Sequence, residues 1–244
     1  MRFLDKYTLQ ARAIPVAAVA FPPIVLLAFA AVLDTDYGIA TGLLTAVVAV
    51  IAGQVGRDRG KALEDTLWQQ WGGSPMLQRL RYAGNPKPAQ IVTNLHARIE
   101  RALGERLPTA NEEARDPVTA DARYEEAVAR LGALTRDEPD RFKTLFAETV
   151  NYGQRRNMLG LRWFGAAFAG VTLVASLVLV ITVDGDLANR AKHFAPGGAA
   201  AVAAIVFWVF VVKPSWVRVT AEVYADRLLE VPDLLDRRQG PQRD

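Results

Sequence analysis

The chain has 244 residues, of which 51% are hydrophobic and 23% are charged, and its formal net charge is +3. The absence of cysteine excludes disulfides and thiolate metal sites, and its two histidines, His96 and His193, lie in different segments, which argues against a zinc or haem centre. The apolar residues are concentrated in two blocks, 13–55 and 163–212, and a charged segment separates them.

The first apolar block predicts two membrane-spanning helices. Residues 13–33 carry no charge and are long enough to cross a hydrocarbon core of roughly 30 Å, with a kink expected at Pro22 and Pro23. Residues 39–55 form the second predicted span. Only the five residues DTDYG separate the two spans, so residues 1–56 are predicted to form a transmembrane hairpin.

The middle segment, 57–162, is predicted to be a helical domain. It holds 18 basic and 15 acidic residues, and this near balance excludes a strongly basic nucleic-acid surface. The helix of the second span is expected to continue to Trp71, where Gly72-Gly73 ends it and Ser74-Pro75 begins the next helix. No segment alternates with a period of two, so the predicted fold class is all-α.

The second apolar block predicts two further spans, 163–183 and 197–217, which form a second hairpin over residues 163–217. Residues 218–244 are predicted to be a C-terminal helix and tail. The four spans contain no ionisable residue before Lys213, which argues against proton relays and ion-coupled transport.

The distribution of basic residues predicts how these spans are oriented. Of 29 lysines and arginines, only Arg190 and Lys192 lie in the two short connectors, 34–38 and 184–196. By the positive-inside rule, both termini and the middle segment face the cytoplasm. We therefore expect a multi-pass membrane protein whose N and C termini are cytoplasmic.

The stretch GRDRGKALEDTLWQQWGGSP, residues 56–75, has the glycines and lysine of a phosphate-binding loop but not their spacing. Only three residues separate Gly56 from Gly60, alanine follows Lys61, and an apolar helix precedes the stretch instead of a buried strand. Its basic residues are expected to contact lipid headgroups or, with three arginines after residue 154, an anionic ligand. The candidate residues are Arg57, Arg59, Lys61, Arg155, Arg156 and Arg162.

Small residues at helical spacing in the second hairpin predict close helix packing, including association between protomers. Ala166 and Gly170 form one pair, and Ala199 and Ala203 form another.

No nucleophile–base arrangement is evident, so no catalytic, cofactor or metal residues are predicted. His96 lies beside an apolar stripe and is expected to be a structural histidine. An integral-membrane enzyme acting on lipid would have Glu64, Asp65 and His96 as its only loose candidates.

The segments GKALEDTLWQQWGGSP and NYGQRRNMLGLR resemble those of uncharacterised bacterial membrane proteins in which two helical hairpins flank a cytoplasmic insert. The layout is also similar to the small four-span effectors of anti-phage defence operons. The resemblance implies a membrane effector whose insert senses a cytoplasmic signal and whose oligomeric spans disrupt the bilayer or conduct ions.

Two functions remain open at this stage. The first is a non-enzymatic, channel-like or membrane-disrupting homo-oligomer controlled through its cytoplasmic domain. The second is a membrane-anchored scaffold or partner subunit that recruits a cytoplasmic protein. The expected partners are membrane lipids, further copies of the chain, and a cytoplasmic protein or small anionic signal; no nucleic acid and no cofactor are expected.

Overall fold

A computed structural model describes the backbone of residues 3–30 and 35–236; within these ranges it describes no side chains for residues 3–10, 12, 35–50 and 236. The described residues form helices and no strand, which confirms the predicted all-α class. The α-helices are α1 (Phe3–Ala30), α2 (Thr35–Trp71), α3 (Pro75–Leu80), α4 (Ala89–Leu103), α5 (Ala110–Arg115), α6 (Pro117–Arg136), α7 (Lys143–Thr182), α8 (Leu187–Val206), α9 (Pro214–Leu229) and α10 (Val231–Asp236). A π-helical turn, Phe207–Val211, follows α8.

Three described helical segments are long enough and apolar enough to cross a membrane: Ala13–Ala30, Lys143–Thr182 and Leu187–Val211. Together they cover most of the first, third and fourth predicted spans. Residues 31–33 of the first span lie outside the described residues, and the fourth predicted span, 197–217, runs past the end of the apolar segment at Val211 into α9. The apolar side chains of the three segments stay largely uncovered, with Val171 65%, Ile181 74% and Phe210 64% exposed. Such surfaces are unfavourable in water and are matched by lipid hydrocarbon.

The second predicted span, 39–55, lies in α2. For residues 35–50 only the helical backbone is described. The exposure of the apolar side chains over most of this span therefore lies outside what the structure describes. The α1 helix continues through Pro22 and Pro23 without a break in helical structure.

The chain divides into two compact units. The first comprises Met1–Glu64 and Gly153–Val217, and the second comprises Asp65–Tyr152 and Arg218–Asp244. The predicted boundaries had fallen at 56/57 and 162/163, with residues 218–244 set apart. The structure groups Gly153–Arg162 with the apolar helices, and it groups the part of α9 from Arg218 onward with the middle segment.

The hydrophobic core of the second unit joins short helices from distant parts of the chain. Leu80 from α3, Ile99 from α4 and Leu131 from α6 are fully buried. Leu228 of α9 and Val231 of α10 complete the same core. The C-terminal helices therefore belong to the core of this helical domain, hereafter the second unit.

The predicted turn at residues 72–75 is confirmed. α2 ends at Trp71, and Gly72 and Gly73 adopt positive φ angles of 81° and 124°, which favour glycine. The Ser74 hydroxyl then accepts a hydrogen bond of 3.2 Å from the Leu77 N–H, and Pro75 occupies the first turn of α3.

Candidate functional site in the basic residues beside the spans

The candidate basic residues flank a close crossing of α2 and α7 within the first unit. Gly160 of α7 faces Gly56 and Gly60 of α2, and a Cβ atom at Gly160 would lie 2.6 Å from the Gly60 nitrogen and 2.9 Å from the Gly56 oxygen. Backbone atoms cannot move aside as a side chain can. The two α2 glycines therefore have a packing role, with the four-residue spacing typical of close helix pairs.

Arg156 is held at this crossing by an ion pair. Its Nη1 atom donates to Glu64 Oε2 at 2.8 Å, and both side chains are less than one-fifth exposed. The adjacent Asn157 is buried, and its amide donates to the Ala11 carbonyl oxygen at 3.3 Å. Arg156, proposed from sequence as an anion contact, and Glu64, a loose catalytic candidate, are thus each other's partners.

Arg155 contacts Trp216 in two ways. Its Nη1 atom donates to the Trp216 carbonyl oxygen at 2.9 Å, and its guanidinium carbon lies 4.6 Å from the centre of the Trp216 ring. This arrangement combines a charge-assisted hydrogen bond with a cation–π contact. Both residues belong to the first unit.

Arg162 caps the π-helical turn. Its Nε atom donates to the Trp208 carbonyl oxygen at 3.2 Å and its Nη2 atom to the Val209 carbonyl oxygen at 2.8 Å. In the five-residue register of this turn, shown by the bond from Val212 N–H to the Phe207 oxygen, Pro214 would be the donor to Val209. Proline has no N–H, so Arg162 supplies the missing donor.

The remaining three candidates lie on the exposed surface of α2. Arg57 pairs with its neighbour Asp58 at 3.1 Å, and both side chains are about half exposed or more. Within the described part of the chain, the side chains of Arg59 and Lys61 make no hydrogen bond or ion pair. Four of the six predicted residues therefore have protein partners, and Arg57, Arg59 and Lys61 are exposed on α2. The role of the six in headgroup or anion binding stays a prediction.

The small residues that pack within the first unit are adjacent to the predicted ones. Gly165 and Ala169 are buried on α7, and the Trp208 ring occupies the space where a side chain at Gly165 would lie. A Cβ atom at Gly170 would meet nothing within 4 Å. Ala166 is partly exposed, and Ala199 and Ala203 are exposed, so these predicted packing residues are left uncovered in the single chain.

A buried polar cluster in the second unit surrounds Glu113, which sequence analysis did not single out. The Glu113 carboxylate, 3% exposed, accepts hydrogen bonds from the Tyr82 N–H at 2.9 Å, the Ala83 N–H at 2.7 Å and the Tyr124 hydroxyl at 2.8 Å. Burial and the Glu113 carboxylate raise the pKa of Tyr124. The three hydrogen bonds all come from structural partners, so this cluster holds the 81–83 turn against α5 and α6.

His96 extends this cluster and matches its predicted structural role. Its Nε2 atom lies 2.8 Å from the Leu80 carbonyl oxygen, so this nitrogen carries the proton and donates. Its Nδ1 atom lies 3.5 Å from the Tyr82 hydroxyl. Burial lowers the pKa of His96, although the nearby Glu100 and Glu113 carboxylates oppose that effect.

Among the described residues, no group of three or more histidine or acidic side chains could hold a metal ion. The geometry found in both units is that of helix packing and capping. In comparisons with known proteins, no family model, no curated protein and no solved structure matches the chain significantly.

Proposed function

We propose that the protein is a non-enzymatic, homo-oligomeric membrane effector, with four spans in two hairpins and a cytoplasmic helical domain that controls ion conduction or bilayer disruption. One observation carries the proposal: three helices of span length leave most of their apolar surface uncovered. We place this effector in the bacterial inner membrane and in anti-phage defence, following the resemblance of its layout.

The uncovered small residues support association between protomers. Ala199 and Ala203 lie one turn apart on the exposed surface of α8, and Gly170 faces open space on α7. In lipid, such small residues allow helix backbones to approach each other closely and gain van der Waals contact. A second copy of the chain can therefore pack on these surfaces.

Continuous helices support control from the cytoplasmic side. α2 and α7 each contribute residues to both units, so a displacement of the second unit acts directly on helices that belong to the first. The close glycine crossing at Gly160 would transmit such a displacement from one helix to the other, since it leaves no flexible side chain between the backbones.

The test is permeabilisation by the purified full chain in dye-loaded liposomes, together with its oligomeric state in detergent. The Ala199→Leu/Ala203→Leu variant is expected to abolish both oligomer formation and dye release, because the bulky side chains hold the helices apart. Val202→Leu, on an exposed position of the same helix, serves as the control. A monomeric wild-type chain, or dye release that the double variant leaves unchanged, would refute the proposal.

The scaffold alternative is favoured by a groove in the second unit. The groove, about 540 Å³, lies between α4 and α9 and includes the exposed apolar residues Ile91 and Val223. If the protein is a scaffold, Ile91→Asp should abolish capture of a cytoplasmic partner and leave liposome permeability unaffected.

A further inference from the structure

A second cavity in the second unit has the composition of a binding site for a phosphorylated molecule. It encloses about 390 Å³ between α5, α6 and the preceding loop. This volume falls within the range of small-molecule sites, which have an apolar floor and a few polar groups that fix orientation. Here Leu107, Pro108 and Ala120 provide apolar surface, and Leu107 and Ala120 are at most 5% exposed.

Three arginines line this cavity: Arg106, Arg115 and Arg123. Arg106 is already engaged, because its Nη2 atom lies 3.0 and 3.1 Å from the two carboxylate oxygens of Glu112. Among the described residues, the guanidinium groups of Arg115 and Arg123 have no hydrogen-bonding partner. Their donors are therefore available to a ligand.

The two carboxylates of the cavity are occupied by helix caps. Glu112 accepts from the Thr109 N–H and hydroxyl, both at 2.8 Å, in the capping box of α5. Asp116 accepts from the Thr119 N–H at 3.1 Å as the N-cap of α6. These bonds lower the pKa of both groups and keep them ionised and locally engaged. With three arginines against two carboxylates, the lining keeps one net positive charge.

We propose that this cavity binds a small phosphorylated organic molecule, with Arg115 and Arg123 donating to its phosphate and Leu107, Pro108 and Ala120 contacting its organic part. Guanidinium groups match phosphate oxygens in geometry and charge. The site is distinct from the basic residues beside the spans. Its role as the input of the proposed effector rests on that proposed function, whereas ligand binding itself does not.

The experiment measures binding by calorimetry to the full chain in nanodiscs of neutral phosphatidylcholine, with ATP, inorganic pyrophosphate and adenosine as probes. ATP is expected to bind more tightly than pyrophosphate, and adenosine is expected not to bind. The Arg115→Ala/Arg123→Ala variant should weaken ATP binding at least about tenfold, because each charge-assisted bond contributes roughly that factor. The matched control, Arg136→Ala/Lys143→Ala, removes two exposed basic residues of the same unit and should keep wild-type affinity.

Three results would each overturn the proposal. The first is no saturable binding of ATP or pyrophosphate below about 1 mM, and the second is an unchanged ATP affinity in the double variant. The third is equal affinity for ATP and pyrophosphate, because the apolar residues of the cavity would then contribute nothing to binding. Circular dichroism of each variant establishes that it is folded. Dye release measured in parallel separates the two proposals: arginine-dependent ATP binding without any effect on leakage supports the site and counts against its role as the effector's input.

Discussion

At the residue scale, the buried Glu113 side chain links three donors of the second unit. Its carboxylate satisfies two backbone N–H groups and one hydroxyl in a buried position, and no other described acceptor bonds the N–H groups of Tyr82 and Ala83. The Tyr124 hydroxyl is the buried donor among the three, and a buried donor that loses its acceptor costs more free energy than the hydrogen bond contributed.

Glu113→Ala is therefore expected to lower the stability of the second unit by about 3 kcal/mol, a shift of many degrees in its melting midpoint. Near-UV circular dichroism of the tyrosines, followed during heating in detergent, measures the shift. Glu126→Ala, at an exposed position of α6, is the control and should change the midpoint by no more than about 3 °C. Equal midpoints for the two variants would contradict the structural role of Glu113.

His96 is expected to make the stability of the second unit depend on pH. Burial lowers its pKa in the folded state, whereas the unfolded chain binds a proton below about pH 6.5. The contribution of neutral His96 to the free energy of unfolding is therefore fully present above about pH 6.5, and it is lost as the pH falls through the folded-state pKa.

Between pH 7 and pH 5, the melting midpoint of the wild-type protein should fall further than that of His96→Gln, whose amide can still donate to the Leu80 carbonyl. The other ionisable groups around His96, including the Glu100 and Glu113 carboxylates, are the same in both chains, so the difference between the two curves reports His96. Parallel midpoint curves for the two chains would show that His96 does not titrate as described.

At this scale, the sequence identifies the basic residues beside the spans but not their partners. The sequence identifies Arg155, Arg156 and Arg162 as charges close to apolar spans, but their partners lie 61, 92 and 46 residues away in the chain. The π-helical turn that exposes carbonyl groups to Arg162 has no local sequence signal apart from Pro214. Glu113 was missed because two of its three donors are backbone N–H groups, which every sequence segment possesses.

At the scale of elements, the crossing of α2 and α7 depends on backbone contact at Gly160. Gly160→Ala should destabilise the first unit by about 1–3 kcal/mol, because an added methyl group would overlap the backbone of α2. Gly170→Ala, on the same helix in open space, should be neutral or stabilising. Thermal unfolding of both variants in detergent, followed by tryptophan fluorescence, measures their midpoints. A midpoint of Gly160→Ala at or above that of Gly170→Ala would contradict the close contact between α2 and α7.

The presence of the helices was predictable from the sequence. The orientation of each helix about its own axis, which decides which side chains pack against neighbours, was not. The apolar runs, the glycine pair at 72–73 and the Ser74-Pro75 cap predicted helices and a turn that the structure confirms. One residue changes the direction of a helical side chain by about 100°. Buried Gly165 and uncovered Ala166 are consecutive, so only the positions of neighbouring helices decide which one packs internally. The four-residue spacing of Gly56 and Gly60 is itself a sequence pattern typical of close helix packing, although the sequence analysis considered these glycines only as part of a phosphate-binding loop.

At the scale of the whole molecule, the account depends on spans that cross the membrane and leave the second unit in the cytoplasm. The absence of cysteine allows single cysteines to report this without removing native ones. Asp184 lies between α7 and α8, and Glu126 lies on α6; both are exposed. Neither side chain has a hydrogen-bonding partner among the described residues, so both positions accept substitution.

The most direct test is labelling of Asp184→Cys and Glu126→Cys in bacterial spheroplasts with a membrane-impermeant maleimide. We predict that Asp184→Cys is labelled in intact spheroplasts and that Glu126→Cys is labelled only after lysis. Labelling of Glu126→Cys in intact spheroplasts, or recovery of the unlabelled chain in the soluble fraction without detergent, would contradict the account.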